Sequence, residues 1–261
     1  MSVSATHPHT PPPWPSHCKS VSRTHPHLAT VDLCPPHTHT LNHPHLATDH
    51  NNTTMPEYKL VYFNTAGRAE LVRWIFAYGG IPFTDERIEK EDWPERKKTT
   101  EGGKLPVLIV DGKTLPQSLA IARFAAKKAG LVPEDDLEAA FCDALADTAF
   151  ELLMEAHSIW HGGSPDKSDE QKQLKDNYFS NNIDPFMTRL EKRLSEKQWF
   201  VSDKITWADL VLCLFYGAIR REEAERAGKF PALLAHVNKV KELPQIKEWL
   251  SSHPVTSATT H

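Results

Sequence analysis

Cysteine is scarce in this chain, basic residues are not in excess, and no long apolar run occurs. Four cysteines stand in 261 residues, Cys18, Cys34, Cys142 and Cys213, with no CxxC pair, no metal-ligand spacing and no disulfide-framework density. Cys142 and Cys213 lie inside apolar helical patterns, where buried free thiols are common. A reducing compartment, hence the cytoplasm, is the simplest fit. The formal net charge of −4 leaves no basic footprint, so nucleic acid is not expected as a partner. No apolar stretch approaches the roughly 20 residues of a helical membrane span, and no membrane association is expected. The first residues lack the charged start and apolar core of a secretory signal. What remains, 39% hydrophobic and 25% charged residues, is the balance of a globular protein.

Histidine and proline are abundant, and unevenly placed. Ten of the fifteen histidines fall in residues 1–54, beside only four charged residues, Lys19, Arg23, Asp32 and Asp49. Such a segment buries too little apolar surface to offset its ordering entropy, so it reads as a disordered His/Pro-rich tail. It carries a near-repeat, Thr24-His-Pro-His-Leu-Ala-Thr30 against Asn42-His-Pro-His-Leu-Ala-Thr48, which matches no repeat fold. The pairs His25/His27, His37/His39 and His43/His45 are metal-capable imidazoles, but a disordered tail offers them no fixed geometry. Two overlapping glycosylation sequons, starting at Asn51 and Asn52, are expected to stay unmodified without secretion. Initiation at Met55 would give a self-sufficient protein, making the tail an alternative start or a mis-assigned reading frame. Mass spectrometry of the native protein is expected to find few molecules with tail peptides; their presence in most molecules would refute this.

From Met55 the pattern becomes that of a folded body. Lys59-Leu-Val-Tyr-Phe63 reads as a strand, closed by the turn Asn64-Thr-Ala-Gly67. A helix carrying Leu71, Ile75 and Tyr78 on one face runs to Gly79-Gly80. A short strand follows near Phe83–Ile88, then an irregular charged stretch through Asp92-Trp93. Val107–Asp111 reads as a buried strand, Asp111-Gly112 as a hairpin turn into Lys113–Leu115, and Gln117-Ser118 as a helix start. The order βαβ, ββα with a right-handed crossover is the thioredoxin-like plan, over residues 55–133. Residues 135–254 read as all-helical. Long segments span Leu137 to about His161 and Asp169 to Leu194, and Thr206-Trp-Ala-Asp209 forms a capping box for a helix to about Glu223. Shorter helices follow Pro231 and Pro244. The fold class is thus an α/β domain joined to an all-α one.

Several motifs stand in register across both halves: Tyr58-Lys-Leu-Val-Tyr-Phe-Asn64, Gly67-Arg-Ala-Glu70, Asp92-Trp-Pro-Glu95, Gly103-Lys-Leu-Pro106, Leu115-Pro-Gln-Ser-Leu-Ala-Ile-Ala-Arg123 and Thr206-Trp-Ala-Asp209. Together they resemble the sigma-class glutathione transferases, a class that includes glutathione-dependent prostaglandin D synthase and the lens S-crystallins. The resemblance runs from Met55 to about His253. It implies a thioredoxin-like glutathione-binding domain before a helical domain, glutathione as co-substrate without a permanent cofactor, conjugation to small apolar electrophiles in detoxification, and a cytoplasmic homodimer. Prostaglandin-H₂ isomerisation and a non-catalytic crystallin-like role are the alternatives it leaves.

The resemblance also assigns roles. Tyr62 takes the place of the catalytic tyrosine, although the strand alone reads better as a core tyrosine sharing a face with Leu60. Arg68 corresponds to an arginine near the sulfur; a surface ion pair is the plainer reading. Trp93, Lys97 and Lys104 match positions that hold the glycine carboxylate, which suits an indole N–H and two cations. Leu105-Pro106 corresponds to a cis-proline step whose backbone meets the cysteinyl part of glutathione. Gln117-Ser118 sits where a helix start favours the γ-glutamyl carboxylate. Glu151 stands where relatives present an aspartate to the γ-glutamyl amine bound in the other subunit, though Asp147 and Glu151 also read as a solvated acidic face. Two departures matter. Ala66 replaces an arginine usual just before Gly67, and Phe150 replaces an acidic residue of a cation site in the prostaglandin synthases, so no metal site is expected.

Overall fold

The computed structural model describes residues 55–162 and 168–253. The tail with its repeat, histidine pairs, sequons, Cys18 and Cys34 lies outside the described residues. Four strands form one mixed sheet in the order β2-β1-β3-β4: β1 (Tyr58–Phe63), β2 (Thr84–Ile88), β3 (Val107–Val110) and β4 (Lys113–Pro116). β1 and β2 run parallel around the crossover helix α1 (Glu70–Tyr78), while β3 and β4 are antiparallel to their neighbours. Asp111 (φ 48°) and Gly112 (φ 80°) make the two-residue hairpin, both in the left-handed region as a primed turn requires.

Alternation along β1 divides the sheet's faces. Tyr58, Leu60 and Tyr62 turn into the main core with Leu108, whereas Val61 joins Val107 and Ile88 on the opposite face. The main core is closed by Val72, Ile75 and Phe76 of α1 and by Ile121, Ala122, Ala125 and Ala126 of α3 (Ser118–Lys128), all fully buried. α1 ends as expected at Gly79, whose N–H donates to the Ile75 carbonyl.

The chain then enters the helical half through α4 (Asp136–His161), capped by the Asp135 carboxylate accepting from the Glu138 N–H. α5 (Ser168–Tyr178) and α6 (Asp184–Glu196) replace the single long helix expected over 169–194. A π turn at Phe179–Ile183 separates them, with Phe179 and Ile183 turned into the core. α7 (Trp207–Glu222) is buried on almost every side, from Trp207 and Leu210 to Tyr216 and Ile219, as befits a central helix. The capping box at its start is present, with Asp209 accepting from the Thr206 N–H at 2.7 Å. A short α8 (Ala224–Ala227) precedes α9 (Pro231–Lys241) and α10 (Pro244–Ser252), each of the last two starting on its proline. Cys142 and Cys213 are buried free thiols, as their apolar setting implied, and burial pushes Cys142 up to about 11.

Candidate functional site

The sheet register brings the candidate residues to one end of the domain. Val61 pairs with Val107, and Val107 with Pro116. Immediately beyond that row lie Tyr62-Phe63 at the end of β1, Leu105-Pro106 before β3, and Gln117-Ser118 after β4. β2 ends beside Phe63 at Ile88, and the chain leaving it enters α2 (Trp93–Thr99). This helix starts at Trp93, where the stretch expected to be irregular ends. Pro94 sits in its first turn, and no residue in it is buried, so it lacks the apolar stripe by which a helix is recognised.

Tyr62 reconciles its two readings. The ring is 9% exposed and packs in the core cluster with Leu60, but the hydroxyl projects past the strand end, where it accepts from the Arg68 backbone N–H at 3.2 Å. Gly67, at φ 40°, makes this approach possible: a Cβ there would sit 2.6 Å from the Tyr62 oxygen. Gly67→Ala is therefore expected to displace the hydroxyl and to destabilise the turn by about 1–2 kcal/mol. Thermal unfolding and turnover measured on the same sample should both fall.

A residue that sequence reasoning did not single out holds this turn. Arg73 is fully buried and donates to the Thr65 carbonyl at 2.7 Å, to Asp85 at 3.0 Å and to Glu70 at 3.2 Å. Its guanidinium stands 6.0 Å from the centre of the Tyr62 ring. Glu70 is fixed in turn by the Trp74 indole N–H at 2.8 Å. Breaking such a buried pair from one side costs about 3–5 kcal/mol, so the network makes a stiff base for the turn. A cation amid Val72, Trp74, Ile75 and Phe76, three residues after a carboxylate, was the available signal.

Arg68 makes no carboxylate pair among the described residues. Its side chain reaches α4, with Nη2 3.0 Å from the Met154 sulfur and the guanidinium 5.6 Å from the centre of the Phe150 ring. The guanidinium thus lies against α4, while the backbone N–H of the same residue reaches the Tyr62 hydroxyl. Trp93 is half-buried edge-on against Phe63, ring centres 5.6 Å apart. Lys97 lies along Gly103, where an added Cβ would meet its Cε at 3.6 Å, so it stands next to exposed Lys104. The Leu105-Pro106 bond is cis. Gln117 is exposed with φ 75°, and no side chain caps the start of α3 that follows it. A non-glycine residue held in the left-handed region is a mark of functional sites, and the uncapped start offers N–H groups to an anion.

Glu151 stands apart from this group. It is exposed on α4, and burial, Glu155 and Glu151 push the Tyr178 phenol up. The acidic-face reading is also divided, because Asp147 is engaged by Arg123 of α3, which pairs with Asp143 at 3.0 Å as well.

The arrangement is a cradle for a small extended molecule, with cations on one side, an uncapped helix start on the other and a strand end between. Residues 58–127 match the family description "Glutathione S-transferase, N-terminal domain", and residues 156–253 match "Glutathione S-transferase, C-terminal domain". The hematopoietic prostaglandin D synthase of Gallus gallus is 38% identical over 203 residues, 78% of this chain and 100% of that protein. Probable glutathione S-transferase 6 of Caenorhabditis elegans is 35% identical over 77% of this chain and 98% of its own length. The crystal structure of a major nematode-specific glutathione transferase of C. elegans superposes with a TM-score of 0.70 at 36% identity, covering 78% of this chain and all of that one. These relatives carry the same class resemblance as the motifs, and the chain belongs to the glutathione S-transferase family.

Proposed function

We propose that the protein conjugates the glutathione thiolate to small apolar electrophiles, as a cytoplasmic homodimer with no permanently bound cofactor. The observation that carries this reading is the Tyr62 hydroxyl, turned out of the core at the end of β1 and fixed by the Arg68 N–H at 3.2 Å. A thiol of pKa about 8.5 is only ~3% ionised at pH 7, and lowering it about two units raises the thiolate to roughly three-quarters. That shift corresponds to about 2.7 kcal/mol of preferential thiolate stabilisation. Tyr62 supplies this stabilisation through a hydrogen bond to the sulfur.

The remaining residues orient the tripeptide. Lys97, Lys104 and the Trp93 indole hold the glycine carboxylate. The Leu105 main chain, aimed by cis Pro106, pairs with the cysteinyl part. Gln117 and Ser118 take the γ-glutamyl carboxylate at the helix start. Glu151 reaches the γ-glutamyl amine of the partner subunit. A dimer also gives a partner to Leu137 and Phe141, one turn apart on α4 and 64% and 46% exposed.

A generic aryl halide with glutathione tests this directly. Turnover well above the uncatalysed rate is expected, and none at any pH would favour the non-catalytic, crystallin-like reading. The kinship with hematopoietic prostaglandin D synthases supports a second reading, isomerisation of prostaglandin H₂ at the same thiolate. Specific formation of the D-series product would favour it over conjugation alone.

A further inference from the structure

The last two turns of α4 carry a feature that the thiol site does not use. His157 and His161 are spaced i,i+4, both exposed, with ring centres 4.4 Å apart and ring planes tilted by 56°. Imidazoles at this spacing stand above one another on one helix face, the arrangement by which a helix offers two nitrogens to one metal ion. No third histidine, cysteine or carboxylate completes a cluster among the described residues, so water would fill the other positions.

Geometry also bears on which ion fits. A metal about 2.0–2.1 Å from a ring nitrogen stands about 3.2 Å from the ring centre. With one nitrogen of each ring aimed at a shared ion, centres 4.4 Å apart would subtend close to a right angle at the metal, the angle between adjacent ligands of a square-planar or octahedral ion rather than a tetrahedral one. Two neutral imidazoles with such angles favour Cu(II) or Ni(II). We propose that His157 and His161 form a two-imidazole site for a square-planar or octahedral divalent transition metal, Ni(II) or Cu(II). It lies two turns along α4 from Phe150, whose ring centre is 5.6 Å from the Arg68 guanidinium.

The surrounding charges set its strength. Burial, His161 and Arg68 lower the proton affinity of His157. Arg68 and Arg221 oppose a bound cation, and Glu222, paired with Arg221 at 3.1 Å, offsets part of that repulsion.

Thermal unfolding of the full chain with and without Ni(II) tests the proposal. An ion that bridges two turns of folded α4 stabilises the native state, so saturating Ni(II) at pH 7.5 is expected to raise Tm by about 5 °C or more. Lowering the pH should reduce the rise, because protons compete with the metal for imidazole. His157→Ala and His161→Ala, made separately because both side chains are exposed and either can be lost without disturbing the core, should each weaken the half-saturating Ni(II) concentration about 100-fold. No Tm rise in the wild type, or the same rise in both variants, would overturn the assignment. So would Ni(II) uptake that both variants retain in full, since that places the metal on the ten histidines of residues 1–54.

Discussion

Tyr62→Phe is expected to raise the pH at which bound glutathione ionises by about two units, from about 6.5 to about 8.5. The ring and its packing are preserved, so the change isolates the hydroxyl. At pH 6 the thiolate fraction falls roughly 75-fold. The less stabilised thiolate is about 6–10 times more nucleophilic, because thiol reactivity rises with pKa at a slope near 0.4–0.5. The net loss in kcat/KM with an aryl halide is therefore about tenfold at pH 6, and it closes by about pH 8. Ultraviolet titration of enzyme-bound thiolate reads the ionisation directly. A loss of equal size at every pH would mean that Tyr62 positions the ligand without activating it, and no loss at pH 6 would remove it from the reaction.

The second large effect concerns the buried pair at the start of α7. The Asp209 carboxylate is fully buried and accepts from Thr206 and from the Phe200 N–H, while His236 Nε2 stands 3.4 Å away. Burial raises Asp209 to about 6, and burial followed by Lys239 lowers His236 to about 4. Between pH 4 and 6 the folded protein keeps a proton on Asp209 that the unfolded chain releases, so this residue's contribution falls as pH rises. His236 acts oppositely. From pH 4 to 6.5 the unfolded chain holds a proton that the folded protein excludes, so stability rises with pH. The two slopes nearly cancel in the wild type, whose unfolding free energy should stay almost level across this window. Asp209→Asn removes the falling slope, and unfolding free energy should then climb by about 3 kcal/mol from pH 4 to 6.5. His236→Asn should give the mirror image, a decline with rising pH. Urea unfolding at half-unit pH intervals distinguishes them; a variant as level as the wild type would show that the pair does not titrate separately.

Much of this fold is legible in the residues because local and global signals agree. The alternation in β1, the glycines closing α1, the Asp111-Gly112 turn and the Thr206/Asp209 box each encode their structure within a few positions. α2 was missed for the opposite reason. Trp93–Thr99 has a proline start but no buried face, and periodicity is silent without one. The break between α5 and α6 escaped because a π turn shifts the register of a helix without interrupting its apolar pattern. At the site, Tyr62, Arg68, Trp93, Lys97, Lys104, Leu105, Pro106, Gln117 and Ser118 could be named from motifs, but no strand carries the information that they share one end of a sheet. Arg73 was overlooked because a lone cation in an apolar helix looks like a solvated charge until its carboxylates are placed around it.

The position of α1 has a consequence for the protein as a unit. One side of this helix covers the sheet, while the other meets α7 and α10, where Trp249 packs on Phe83 with ring centres 5.5 Å apart. The Trp207 N–H donates to the Leu131 carbonyl at 3.0 Å, and Arg123 clasps Asp143 and Asp147. One continuous core therefore runs through both halves. Arg73, which steadies the Tyr62 turn, projects from this shared helix. The half that carries the Tyr62 turn is consequently not a detachable module: the firmness of that turn is borrowed from helices that begin only at Trp207 and Pro244.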